Sequence, residues 1–148
     1  MVAIRGFEEP DFHQVVALEM ASSGSVYGAS VFIRQMQALA AQTFFVSSEG
    51  DQIIGYAIGS LVSGAPGEGW ILRLQVAEPY RRQGVARTLL HRLHDEFQNM
   101  GLDELFLTVS PANARALPLY LSLGYEKVEF RKEYFGPDED RLILRRRF

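Results

Sequence analysis

Apolar residues recur along this chain in two rhythms, one near two residues and one near 3.6. Residues 2–7, VAIRGF, form a short apolar-rich run that predicts a strand. In EPDFHQVVALEMAS, residues 9–22, the apolar Phe12, Val15, Val16 and Met20 follow a helical rhythm, with Pro10 near its start. SSGSVYG, residues 22–28, predicts a flexible break, and SVFIRQMQALAAQ, residues 30–42, a second helix. TFFVSS and IIGYAIGSLV flank EGDQ and predict a hairpin. SGAPGEG reads as a loop and WILRLQV as a further strand, with AEPYRRQG leading out of it.

From Val85 to Met100 the apolar positions are 85, 86, 89, 90, 93, 97 and 100. They define one buried helical face, which Gly101 can close. ELFLTVS predicts a strand, and NARALPLYLSL a helix with Asn113 as N-cap and Gly124 as terminator. EKVEFRKEYF and DRLILRRRF predict two last strands. The order β-α-α-β-β-β-α-β-α-β-β implies one α/β domain over residues 1–148, a mixed sheet with helices on both faces.

Composition narrows the picture. The 148 residues are 47% hydrophobic and 22% charged, which suits a globular chain with a proper core. No run of about 18 apolar residues is present, so no membrane span is expected. The start, MVAIRGFEEPDF, lacks the basic-then-apolar design of a signal peptide, so the expected location is cytoplasmic. A net charge of -3 argues against a general nucleic-acid binder, and RRRF at 145–148 reads as a solvated end. The absence of cysteine removes disulfides, thiolate metal sites and acyl-cysteine chemistry.

One stretch departs from ordinary helix energetics. In PYRRQGVARTLL, Arg81 and Arg82 stand where a helix begins, an end that already carries about half a positive charge. An anionic ligand resolves the repulsion, because the first N–H groups of a helix have no internal partner and Gly84 lets a phosphate approach the backbone. Gln83, Val85, Ala86, Arg87 and Thr88 complete that turn. The nucleotide-hydrolase pattern G-x-x-x-x-G-K-[ST] and the dinucleotide pattern G-x-G-x-x-G are both absent. From these residues alone, a plain surface turn leading into a helix remains the other reading. His91 and His94, three apart on the same helix, read as polar-face residues, and no metal is expected.

A second segment, NARALPLYLSLGY, brings Asn113, Ala116, Leu119, Tyr120, Gly124 and Tyr125. Together the two segments resemble the GNAT superfamily of acetyl-CoA-dependent N-acetyltransferases. Its pyrophosphate motif [Q/R]-x-x-G-x-[G/A] is matched at Arg81, Gly84 and Ala86. Its downstream signature N-x-x-A-x-x-L-Y followed by x-x-x-G-[F/Y] is matched from Asn113 to Tyr125. Within the superfamily, LQVAEPYRRQGVARTLL and FRKEYFGPDEDRLILRRR are similar to segments of the ribosomal-protein alanine N-acetyltransferases.

The resemblance implies the GNAT fold, a mostly antiparallel mixed sheet of about seven strands flanked by about four helices. It implies acetyl-CoA as cosubstrate, with the pyrophosphate at residues 81–86 and the pantetheine along the backbone of Leu74, Gln75 and Val76. Asn113 is a further cofactor contact, a helix cap, or both. Tyr120 takes the position of the acid that meets the departing thiolate; by spacing alone it reads as a core aromatic. Without a cysteine relay, transfer goes directly from donor to amine. At the position of the family's basic glutamate stands Thr108, which cannot act as a base but can hold a water; Glu68 is the other carboxylate in view, and reads more plainly as a loop residue.

An α-amine with pKa about 7.8 is partly neutral at pH 7, whereas a lysine at about 10.4 is not. The expected acceptor is therefore a peptide or protein N-terminal α-amine. The alternatives are a small amine (polyamine, amino acid or antibiotic), or a non-catalytic module that binds acyl-CoA and regulates a partner. Nucleic acid and membrane are not expected as partners, and a homodimer is a form the family often takes. Tyr27, Trp70, Tyr134 and Phe135 either line an acceptor cleft or pack ordinarily. Pro118 either bends the Tyr120 helix or is tolerated in its first turns.

Overall fold

Seven strands and four helices make up the computed structural model, which describes residues 2–148. In chain order they are β1 (Val2–Gly6), α1 (Phe12–Ser23), α2 (Val26–Leu39), β2 (Phe44–Glu49), β3 (Gln52–Leu61), β4 (Glu68–Val76), α3 (Val85–Asn99), β5 (Glu104–Val109), α4 (Ala116–Ser122), β6 (Glu126–Arg131) and β7 (Arg141–Arg147). The order is the one the hydrophobic pattern predicts.

The strands lie in the order β1-β2-β3-β4-β5-β7-β6. Every neighbouring pair is antiparallel except β4 and β5, which α3 joins as a parallel crossover. Two cores form on the two faces. Val15, Val16 and Ile33 of α1 and α2 pack on Phe44, Val46, Tyr56 and Ile58. On the other face Leu89, Leu90, Leu93 and Phe97 of α3 pack with Tyr120 and Leu123 on Ile54, Ala57, Leu105 and Leu107. Phe97 needs two glycines beneath it: a Cβ at Gly59 would come within 2.5 Å of its ring, and one at Gly69 within 3.1 Å.

Three expectations shift in the structure. The second helix starts at Val26 rather than Ser30, because Ser25 caps it by accepting from the Gly28 N–H at 3.1 Å. Gly24, at φ 72, ends α1, so the break between the helices is two residues long. Within RRRF, Arg145, Arg146 and Arg147 lie in β7 as the pattern predicts, opposite Phe106, Leu105 and Glu104 of β5, while Arg147 and Phe148 are exposed as a solvated end would be. β6 stops at Arg131, leaving Tyr134 and Phe135 in the turn before β7.

Candidate active site

The site begins where the sheet opens. β4 and β5 pair only through Glu68, Gly69 and Trp70, opposite Glu104, Leu105 and Phe106. Beyond Trp70, β4 keeps its bonds to β3, and β5 keeps its own to β7. The two strands therefore splay, and the facing edge of β4 from Ile71 to Val76 has no strand partner. A bulge adds to this: Ile71 sits opposite Gly59 and Arg73 opposite Ile58, so Leu72 has no opposite number. Ile71 and Leu74 then face α3, while Leu72 and Arg73 both face α1 and α2.

On the α3 face the splay forms a cleft of about 740 Å³. Leu74, Gln75, Val76, Arg81, Arg82, Gly84, Val85, Ala86, Arg87, Asn113 and Tyr120 all line it. Gln83 and Thr88 do not: Gln83 donates to the Pro79 carbonyl at 3.0 Å, and the Thr88 hydroxyl to Gly84 O at 2.9 Å. Gly84 is the N-cap of α3, at φ 82, with no side chain capping the first turn and no acidic residue in it. Arg82 also adopts positive φ, 63°. Arg81 is steadied by its Nε bond to Val76 O at 3.0 Å, and Arg87 by Ser122 at 3.0 Å. Among the described residues, six arginines (73, 81, 82, 87, 115 and 141) line this cleft, and no carboxylate or histidine does.

Asn113 precedes α4 by three residues, so the helix is shorter than predicted, yet its Oδ1 accepts from the Ala116 N–H at 3.0 Å. Pro118 is the third residue of α4. Its missing N–H falls where no intrahelical bond would form, so it ends neither the helix nor the placement of Tyr120.

Tyr120 is buried, and its hydroxyl has no hydrogen-bond partner among the described residues. Burial pushes its pKa up to about 12, so the phenol is protonated at neutral pH. Its ring meets Tyr125 edge-on at 5.7 Å between centroids. Behind Tyr125 lies a residue that sequence reasoning placed wrongly. His94 is not on the polar face: it is 2% exposed. Arg146 Nη1 donates to its Nδ1 at 2.6 Å. A guanidinium only donates, so Nε2 carries the proton and donates to the Tyr125 hydroxyl at 2.7 Å. Burial first, then the charges of Arg146 and His91, hold its pKa down to about 3. His91, on the exposed side, follows the expectation.

On the α1–α2 face the splay opens into a second cavity of about 370 Å³. Trp70, Tyr134 and Phe135 line it, with Phe32, Arg73, Thr108 and Arg141. Tyr27, 80% exposed, does not. Ile71, Leu72, Arg73, Thr108 and Arg141 line both openings, so the two meet at the splay. Glu68 lines neither; it sits opposite Glu104 at the closed end of the strand pair. Among the described residues, no group of three His, Asp or Glu side chains is placed to hold a metal, and no helix is long and apolar enough to cross a membrane.

The model of the acetyltransferase (GNAT) family matches residues 12–125. The chain belongs to the GNAT acetyltransferase family. The N-alpha-acetyltransferase of Saccharolobus solfataricus is 25% identical over 153 residues, 97% of this chain and 91% of that one. The ribosomal protein bS18-alanine N-acetyltransferase of Escherichia coli K12 is 36% identical over 80 residues, 52% of this chain and 54% of that one. That match spans about half the length of the curated relative. The crystal structure of the E. coli ribosomal-protein-S18-alanine N-acetyltransferase superposes with a TM-score of 0.84 at 26% identity, over 99% of this chain and 94% of that one. As a GNAT N-acetyltransferase the chain is an enzyme, and its mixed sheet is the family's.

Proposed function

We propose that this GNAT enzyme transfers the acetyl group of acetyl-CoA directly to the α-amine of a peptide or protein N-terminus. The observation that carries the reading is the pair of openings on opposite faces of the sheet, meeting at the β4–β5 splay. Donor and acceptor enter from opposite sides and meet without a covalent relay, which is the geometry of a ternary complex. The two relatives named for N-alpha and alanine N-acetylation support the acceptor class.

The α3-side cleft fits a CoA thioester. Its arginines, its uncapped helix start and its lack of carboxylates suit a polyphosphorylated ligand. The N–H groups at 84–87 and the guanidinium of Arg81 hold the pyrophosphate. The unpartnered edge of β4 at Leu74–Val76 pairs with the pantetheine as a strand would. When bound, acetyl-CoA supplies an activated acyl group on a thiol leaving group.

Tyr120 donates a hydrogen bond to the sulfur as negative charge develops there. A phenol whose pKa burial has raised gives up its proton less readily than it would in water. The tyrosine therefore acts mainly by stabilising that charge rather than by giving up its proton. Among the lining residues neither cavity offers a carboxylate or histidine, so the acceptor amine loses its proton to water, held by Thr108 at the junction.

The test is incubation with acetyl-CoA and a set of peptides, each unblocked and N-blocked, following thiol release and the site of the added mass. Acetylation at the α-amine, absent from the N-blocked peptides, is expected. Peptides that stay inert while a polyamine or an antibiotic is acetylated would transfer the reading to a small-molecule acceptor.

A further inference from the structure

The second cavity is cationic at its surface, which acetyl transfer does not itself require. Arg73 from β4 and Arg141 from β7 line it, and no carboxylate does. Both guanidiniums are laid against aromatic rings. Arg73 is 4.6 Å from the centroid of Phe32, and Arg141 is 4.8 Å from that of Phe135. Each has a carboxylate partner that does not line the cavity: Glu19, buried on α1, accepts from Arg73 Nε at 2.7 Å, and Glu139 from Arg141 Nη2 at 2.8 Å. The Leu72 and Asp140 carbonyls accept from the two Nη1 groups at 3.1 and 2.7 Å. Nη2 of Arg73 and Nε of Arg141 keep no partner among the described residues.

These features select among amines. An ammonium ion would meet guanidiniums on the walls, with the balancing carboxylates behind them, so the neutral amine is favoured. The rings of Phe32 and Phe135, which could cradle a cation, already carry Arg73 and Arg141. A planar guanidinium fixed by a ring and a counter-ion is set to take a carboxylate. Arg73 reaches this wall because the bulge at Leu72 turns two successive side chains to the same face.

Resting on the reading of this cavity as the acceptor side, we propose that the enzyme prefers amines that carry a carboxylate close by. That carboxylate is either the acidic side chain of a peptide's first residue or the free carboxylate of an amino acid. Arg73 and Arg141 are the specificity-determining residues.

The experiment uses two readouts on the full chain. Calorimetry on the CoA-loaded protein measures binding of peptides beginning with Asp or Glu against the same peptides beginning with Asn or Gln, and of free amino acids against their carboxamides. Acetyl transfer is measured on the same set. The acidic member of a pair is expected to bind about tenfold tighter or more, and the arm that shows this names the source of the carboxylate. Arg141→Gln is expected to bring the ratio close to one. Arg73→Lys keeps a counter-charge for buried Glu19 and is expected to lose part of the ratio. Preferential binding of acids with no transfer to any acceptor would support the cavity's preference and overturn the transferase reading. Transfer that proceeds equally for acid and amide, or a preference that survives in Arg141→Gln, would overturn the inference and leave the transferase reading standing. Absence of binding to every acceptor would overturn it as well.

Discussion

On the α3 side of the splay, a single segment, residues 81–87, supplies three of the six arginines that line the cleft and the Gly84 turn that starts α3. On the α1–α2 side, Phe32, Trp70, Arg73, Phe135 and Arg141 come from α2, β4, the turn before β7 and β7, and act through side chains. The first kind of site is carried by a local motif and tolerates change around it. The second exists only when distant elements are held in register, and a change in any of them alters it.

The largest effect is expected where the local motif is broken. Gly84 occupies left-handed backbone, and a Cβ there meets no protein atom within 4 Å, so a substituent would stand in the cleft itself. Gly84→Val is expected to abolish the rise in Tm on adding acetyl-CoA, which for wild type at a hundred times Kd is worth about 2.7 kcal/mol. Scanning fluorimetry with and without acetyl-CoA reads this; an undiminished shift would remove the turn from the donor site.

Tyr120→Phe is expected to lower kcat about a hundredfold, at the lower end of the range for such groups because the raised pKa limits proton transfer. The acetyl-CoA shift in Tm should stay. Equal turnover in the variant would mean that the phenol is only packing.

His94 separates support from contact. Its folded pKa lies below its unfolded value, so the unfolded chain binds more protons between about pH 6.5 and 3. Its contribution is complete above pH 6.5 and is lost as pH falls, at no more than about 1.4 kcal/mol per pH unit. Denaturant midpoints measured from pH 7 to 4.5 should decline for wild type and decline less for His94→Phe. Parallel curves would show that another group governs the acid side.

The smallest effect tests the assembled side. Ser25→Ala removes the cap of α2, which carries Phe32, and is expected to cost about 1 kcal/mol. Kinetics should show the acceptor KM rising while the acetyl-CoA KM holds. Equal changes in both would blur the distinction between the two openings.

Much of this molecule is legible along the chain. The apolar periods named all eleven elements in order, and Arg81, Gly84 and Ala86 marked the turn that the structure puts at the mouth of a basic cleft. The start of α2 was misplaced because Val26 and Tyr27 are exposed, and a helical face read from burial begins only at Ala29. A burial signal for His94 did exist: it lies one position past Leu93 and three before Phe97, on the edge of the apolar stripe.

By itself, then, the sequence determined the period of each element, the glycines that end or turn it, and the basic glycine turn at 81–86, because each depends on residues within a few positions of one another. Tertiary structure alone decided the rest. It laid β7 between β5 and β6. It enclosed His94 between Arg146 and Tyr125, and it brought Arg73 and Arg141 to one cavity from 68 positions apart in the numbering. Contacts of that kind follow from how strands pair and where they part, and no local pattern encodes them.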